Sequence, residues 1–384
     1  MHKIMFSAGE VSGDMHGANL AEALKKIEPD IKLVGFGGNK MEKAGVRLIA
    51  NMAQYSVMGF YEVLVNLRKM IKLRDKLGRF MEKERPDILV LIDYPDFNWR
   101  LAPIAKKLNI PVFSYIPPSA WAWRRSRAKK VAVLADKIAS IFPFEIDVYK
   151  ENGADIEFVG NPLIETVKPS LKPENINEYF SLDNGENNIL LLPGSRKQEI
   201  KAIFPVMLQA AELFQKRHPL TKFHLVIAQG IEEEQLKKIA SRYTLNIAYH
   251  KDHLYDLMYG CDMAFATSGT VVLEAGLMEL PTIVLYRMSF LTYCIAKVAV
   301  NIKYFSLPNI LAQKQVMPEL LQYKVTPANI VIHAEKILQN GGENIKKELR
   351  KIKMNLGRPG VSRRVAELII KTADKNKLMN GNKT

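Results

Sequence analysis

The 384-residue chain holds two cysteines, Cys261 and Cys294, so neither a disulfide framework nor a cysteine metal site can be built from it. That scarcity suits a reducing compartment. No apolar run reaches the roughly 20 residues that a membrane-spanning helix needs. The richest stretch, Thr282 to Val300, is broken by Arg287 and Lys297. The chain enters a strand within four residues and lacks the apolar segment of a signal peptide, which predicts a cytoplasmic protein. Asp-x-Asp is absent, and with it the usual way of holding a divalent ion on a nucleotide sugar. Acidic residues are in deficit, 40 against 55 Lys and Arg, for a formal charge of +15. The excess points to anionic partners, whether nucleic acid, an anionic membrane surface or phosphorylated substrates, without choosing among them. Apolar residues make up 48%, ample for proper cores, and the length predicts two domains.

The opening stretch, Ile4 to Ala18, organises the rest. A short apolar run reads as a buried strand, small residues and glycines make a tight turn, and helical spacing follows. A strand that breaks into glycine and restarts as a helix aims backbone N–H groups at whatever lies beyond the strand's carboxyl end. The glycines fall at 9, 13 and 17, the wrong spacing for a dinucleotide fingerprint. The loop carries Glu10, Ser12, Asp14 and His16, which suit hydroxyl groups rather than phosphates. An ordinary helix cap accounts for one of them.

Apolar runs and amphipathic segments alternate along the whole chain, which predicts an α/β protein with parallel sheets wrapped by helices. Strands are expected at Lys3–Phe6, Lys32–Phe36, Ile88–Ile92, Pro111–Tyr115, Lys137–Ile141 and Ile156–Val159. After a Pro- and Asn-rich connector they resume at Ile189–Leu192, Lys222–Ala228, Asn246–Tyr249, Met263–Ala266 and Thr282–Leu285. The expected domains are 1–165 and 166–355, with a final helix and polar tail at 356–384 returning to brace the first.

Two loops of the second half suit anions. Leu192-Pro-Gly-Ser195-Arg196 joins a strand to a helix and adds a guanidinium fork. Thr267, Ser268, Gly269 and Thr270 form a hydroxyl-rich helix start, and Glu274, one turn on, is placed to accept ribose hydroxyls. Together they predict a nucleotide diphosphate site; with no Walker lysine, ATP hydrolysis is not expected. His250 and His253 with Asp252 read as loop histidines rather than a zinc site. In the first half, a buried run ends at Asp93, where open α/β sheets keep their ligand-handling groups. Trp121, Trp123 and Arg124 lie in a basic aromatic segment that could stack on bases, hold a phosphate or meet lipid. The helix expected at 57–83 carries an apolar face including Phe60, Met70, Ile71, Leu77 and Met81 amid Arg and Lys. It fits either an anionic membrane surface or a core helix with a wet basic back, and the apolar-basic stretch Tyr286 to Phe305 favours the membrane.

Taken together, these segments resemble the lipid-A-disaccharide synthase family of inverting glycosyltransferases. The resemblance is carried by Ala8-Gly-Glu-Val-Ser-Gly-Asp14, Ile92-Asp-Tyr-Pro-Asp-Phe-Asn98, Pro118-Ser-Ala-Trp-Ala-Trp-Arg124 and Phe142-Pro-Phe-Glu145, then by Leu192-Pro-Gly-Ser-Arg196, Thr267-Ser-Gly-Thr270, Ser306-Leu-Pro-Asn-Ile-Leu311 and Pro318-Glu-Leu-Leu-Gln322. One departure is Asn161, where many members have histidine; it cannot titrate, so no acid–base role carries over. The resemblance implies two Rossmann-like domains facing a cleft (the glycosyltransferase B arrangement). It implies transfer of 2,3-diacylglucosamine from its UDP derivative to 2,3-diacylglucosamine 1-phosphate through a β-1,6 bond, without metal or other cofactor, at the cytoplasmic face of the inner membrane. Asp93 is the expected general base, with Glu10 as runner-up. Ser195, Arg196, Thr267–Thr270, Glu274, Asn309 and Gln322 are expected on the donor, and Ser12, Asp14, Trp121, Trp123, Arg124 and Asn161 on the acceptor or its loops. Expected partners are the two lipid substrates and an anionic phospholipid surface, not nucleic acid; a homodimer is compatible with this reading. The rival readings are a UDP-sugar epimerase or a transferase with a soluble acceptor, a non-enzymatic two-domain binder, and a nucleic-acid binder.

Overall fold

A computed structural model of the chain describes residues 1–55, 63–118, 126–182, 185, 187–288 and 303–381. It divides into two units, Met1–Pro162 with Leu356–Thr384, and Leu163–Asn355.

The first unit is a seven-stranded parallel sheet: β1 (Lys3–Ala8), β2 (Lys32–Gly37), β3 (Arg47–Asn51), β4 (Ile88–Ile92), β5 (Val112–Tyr115), β6 (Lys137–Ser140) and β7 (Ile156–Phe158). Their order is β3-β2-β1-β4-β5-β6-β7. Strand β4 reads Ile-Leu-Val-Leu-Ile and buries every residue, as a central parallel strand covered on both faces must. Alternate side chains feed separate cores. Met5, Leu89 and Leu91 pack with helix Pro95–Lys107 and with Leu73, Leu77 and Met81 of helix Val63–Glu84. Ile4, Phe6, Val90 and Ile92 pack with helices Val11–Ile27 and Val361–Gly381. The last helix buries Val361, Val365, Ala366, Ile369 and Ala373 completely, a stripe at helical spacing. Each fully buried Val or Ile on it contributes about 1.5–3 kcal/mol, and His2 fixes its register through Asp374 at 2.9 Å.

The segments that link this unit to the rest of the chain lie side by side. Gly160 and Gly357 both have left-handed backbones, φ +92° and +97°, and a Cβ on Gly357 would come within 2.9 Å of the Gly160 Cα. The Asn161 N–H donates to the Leu356 carbonyl at 2.8 Å. Arg364 ties the arrangement by donating to the carbonyls of Val159, Arg358 and Pro359.

The second unit is a six-stranded parallel sheet: β8 (Asn187–Leu192), β9 (Thr221–Val226), β10 (Ile247–His250), β11 (Met263–Thr267), β12 (Thr282–Tyr286) and β13 (Glu319–Leu321). Its order is β10-β9-β8-β11-β12-β13. The fold is thus α/β with two Rossmann-like units. Strands β3 and β13 escape a sequence reading because each is a short sheet edge with few buried residues.

Leu77 and Met81, expected on a membrane-facing surface, are instead fully buried in the first unit's own core. On that helix Arg68, Lys69, Ile71 and Lys72 are exposed. Phe60 and residues 289–302 of the second apolar-basic stretch lie outside the described residues, as do Trp121, Trp123 and Arg124. Among the described residues, no helix is long and apolar enough to cross a membrane.

Candidate active site

Each sheet reverses its strand order once, between β1 and β4 in the first unit and between β8 and β11 in the second. Neighbouring strands at such a point send their connections to opposite faces, leaving a crevice beyond their carboxyl ends. Four of the loops singled out by sequence leave these four strands.

In the first unit, Ala8 pairs with Ile92 across the switch, so the Glu10 loop and Asp93 emerge together. Asp93 and Tyr94 both have left-handed backbones, φ 47° and 53°. For residues other than glycine this costs about 1–3 kcal/mol each and persists only where the surroundings enforce it. Asn98 supplies that enforcement. It is fully buried, donates to the Asp93 carbonyl at 2.6 Å and accepts from the Ser7 hydroxyl at 2.6 Å. The Asp93 N–H also donates to the Tyr115 carbonyl at 3.1 Å. Gly9 is required for a steric reason, since a Cβ there would lie 2.2 Å from the Tyr94 ring. Burial raises the Asp93 carboxyl above the usual carboxylate range, partly offset by a hydrogen bond from the Tyr94 N–H. Burial also raises the Tyr94 phenol, with Glu10 and Asp96 adding to the effect. His16 sits edge-on to Tyr115 at 6.1 Å, and burial lowers its pKa to about 4, keeping the ring neutral.

Ser12 is exposed in the first turn of its helix. Asp14, expected on the acceptor or its loops, contacts the start of a neighbouring helix. It is buried, and its carboxylate accepts from the N–H groups of Gly38, Lys40 and Met41 at 2.8–3.0 Å, pinning helix Asn39–Lys43. Asn161 is buried at the linking segments described above, its amide 3.5 Å from the Ile141 carbonyl.

One acid carried no expected role. Glu145 is buried against the Ser140 hydroxyl, which itself lies 2.8 Å from the Phe142 carbonyl. The Ser140 hydroxyl donates to the Glu145 carboxyl. Burial pushes Glu145 up to about 8 although that hydrogen bond works in the other direction. Near it, Tyr149 donates to the Pro118 carbonyl at 2.6 Å.

In the second unit, a pocket of about 300 Å³ brings together Pro193, Gly194, Ser195, Arg196 and Glu199 from beyond β8 with Thr267, Ser268, Gly269 and Thr270 from beyond β11. Ala266 pairs with Leu192 at this switch. Helices Lys197–Arg217 and Thr270–Leu277 both begin here, and their first-turn amides have no partner within the helix. Gly194 is left-handed, φ +108°, and a Cβ on it would meet Glu199 at 3.0 Å. Gly269 has extended backbone at φ 171°, and a Cβ on it would meet nothing within 4 Å. The Thr267 hydroxyl is buried and has no hydrogen-bond partner among the described residues. Buried polar groups are rarely left so, and Thr267 is among the residues that line the pocket. The Arg196 side chain is 82% exposed and paired with Glu199 at 2.9 Å. Glu274 is partly buried, which raises its carboxyl, and its charge adds to the burial that moves Tyr255 up to about 12.

Asn309 and Gln322 are not brought to this pocket. Asn309 is fully buried, donates to the Met317 carbonyl and Glu319, and accepts from the Val316 and Met317 N–H groups. Its amide is consumed internally. Gln322 accepts from the Met288 N–H and donates to the Met288 carbonyl, clamping that backbone. Residues that sequence reasoning missed are Asn98, Glu145 and Glu199; only Asn98 and Glu145 carried a signal, as the last residues of their quoted motifs.

The family model for lipid-A-disaccharide synthetase matches residues 4–373. The lipid-A-disaccharide synthase of Geobacter metallireducens is 36% identical over 377 residues, covering 98% of each chain. Among solved structures, the calicheamicin glycosyltransferase CalG4 aligns with a TM-score of 0.65 at 12% identity, over 98% of this chain and 99% of that one. The UDP-GlcNAc 2-epimerase of Neisseria meningitidis, bound to UDP-GlcNAc, aligns with a TM-score of 0.60 at 14% identity, over 97% and 100%. At such identities the structural likeness concerns the fold alone.

Proposed function

The chain belongs to the lipid-A-disaccharide synthase family, and from that premise we propose that it transfers 2,3-diacylglucosamine from UDP-2,3-diacylglucosamine to the 6-hydroxyl of 2,3-diacylglucosamine 1-phosphate, releasing UDP. The observation that carries the donor half is the second unit's pocket, where two helix starts and the unpartnered Thr267 hydroxyl converge at a switch point. Positive helix ends and hydroxyls suit a diphosphate. On binding, Arg196 exchanges Glu199 for a phosphate oxygen, and Glu274 takes the ribose hydroxyls. These groups stabilise the charge that grows on departing UDP, work done elsewhere by a metal ion.

Asp93 is the general base. Its carboxylate removes the proton of the acceptor's 6-hydroxyl as that oxygen forms a bond to the anomeric carbon and the bond to UDP breaks, inverting the centre. Its raised pKa makes it a better proton acceptor once ionised, and its enforced backbone holds it in place before substrate arrives. Glu10, from the adjacent strand end, is the alternative base. The acyl chains call for work at a membrane surface, which the basic residues Arg68, Lys69 and Lys72 around exposed Ile71 would favour on an anionic leaflet.

The test is UDP release from UDP-2,3-diacylglucosamine in detergent, with and without acceptor, for wild type and Asp93→Asn. Acceptor-dependent release that the substitution abolishes, with UDP binding retained, is the expected result. Undiminished turnover in the variant would transfer the role to Glu10. Release independent of acceptor would mean transfer to water and favour a hydrolase, and conversion of the sugar with no UDP released would favour an epimerase.

A further inference from the structure

We propose that a pocket beside Asp93 on the first unit binds a phosphate monoester, and that its occupant is the anomeric phosphate of the acceptor, an inference that rests on the transferase reading above. The pocket has a volume of about 210 Å³ and lies between the starts of helices Pro95–Lys107 and Ser126–Leu134. Pro95, Asp96, Trp99, Arg100, Arg127 and Lys130 line it. Three cations thus meet one carboxylate around a single small space. The Asp96 side chain is 89% exposed and 3.7 Å from the Arg127 guanidinium. So long and wet a pair contributes little, and a dianionic phosphate would compete for that guanidinium with a bidentate fork. The first turn of the 13-residue helix Pro95–Lys107 borders the space, and its positive end adds to the field. Trp99, 8% exposed and packed in the core, gives the wall a fixed shape.

Position supplies the rest of the argument. Pro95 follows Asp93 by two residues, so the two Cα atoms are at most about 7.6 Å apart. In the acceptor, one sugar ring separates the 6-hydroxyl, which Asp93 deprotonates, from the anomeric phosphate. Pro95 lines the pocket, so this cationic space opens next to the residue that carries the base, and the anomeric phosphate is assigned to it. A bilayer headgroup offers the same chemistry but has no reason to lie at that distance from Asp93.

The experiment is equilibrium binding, in neutral detergent, of the 1-phosphate acceptor and of its dephosphorylated form to wild type and to the double variant Arg100→Gln/Lys130→Gln. Both altered residues are exposed, and UDP binding serves as the folding control. Wild type should prefer the phosphorylated form, and the double variant should lose about 10- to 100-fold of that preference, the scale of charge-assisted hydrogen bonds. An unchanged preference in the variant, or none in wild type, overturns the assignment. So does a loss seen only with vesicles containing anionic phospholipid and not in neutral detergent, which would make the pocket a headgroup site. Because binding needs no turnover, a wild type that keeps the preference but releases no UDP would sink the transferase reading and leave the phosphate site standing.

Discussion

The two units share one strand order and one switch point, yet the loops beyond them are built from opposite chemistry. The first unit's crevice is bordered by the carboxylates Glu10 and Asp93, and at Asp93 and Tyr94 the backbone is left-handed and braced by fully buried Asn98. The second unit's is bordered by glycines, hydroxyls and helix starts, with a single arginine on the rim. One is strained and suited to taking a proton. The other is open and suited to holding a charge that the substrate brings. The fold therefore decides where a site lies, and the loop residues decide what it does.

That contrast breaks down in measurable ways if it is wrong. The largest effect is expected for Asp93→Asn, which should lower kcat by roughly 10²–10⁴-fold while leaving UDP affinity unchanged in isothermal titration. The raised Asp93 pKa adds a direction: in wild type the acid limb of the rate profile should lie above the ordinary carboxylate range, because the base works only when ionised. Next comes Gly269→Val in the second unit. The side chain meets no protein atom within 4 Å of its Cβ and sits on extended backbone, so thermal stability should hold. Gly269 lines the pocket proposed for the donor, and an overpacking cost of about 1–3 kcal/mol there corresponds to roughly 5- to 150-fold weaker UDP binding. A smaller change should follow Thr267→Val, which removes the unpartnered buried hydroxyl. The unliganded protein should be as stable or slightly more so, while UDP binding weakens by about 3- to 10-fold.

A test of stability rather than turnover sharpens the comparison from the first unit's side. Folded Glu145 keeps its proton up to about 8, whereas unfolded it releases it near its ordinary 4.5. The folded state therefore binds more protons across that window, and stability falls as pH rises from about 4.5 to about 8. Glu145→Gln should flatten that part of the slope in denaturant titrations run across pH. An unchanged slope would mean that the buried acid is ionised after all.

The sheets and the second unit's pocket were legible because their signals are local. A continuous apolar run such as Ile88–Ile92 announces a central strand, and glycine with hydroxyls between a strand and a helix announces a turn that opens onto a pocket. The edge strands were not legible, since Arg47–Asn51 and Glu319–Leu321 bury too little to leave a pattern. Polar residues proved hardest. Asn309, Gln322 and Asp14 are as hydrophilic as any ligand-binding side chain, and only tertiary context reveals that each holds backbone. Leu77 and Met81 teach the converse, because an amphipathic face fits a protein core as well as a bilayer.

The stripe of Val361, Val365, Ala366, Ile369 and Ala373 bears on how the protein is made. During synthesis residues 1–162 leave the ribosome first, but the sheet face that this helix covers stays bare until residues 361–373 have emerged. The second unit, continuous in sequence, can close while the first is still waiting. The domain that begins first is therefore finished last, and its uncovered apolar face is where a chaperone would be needed during translation.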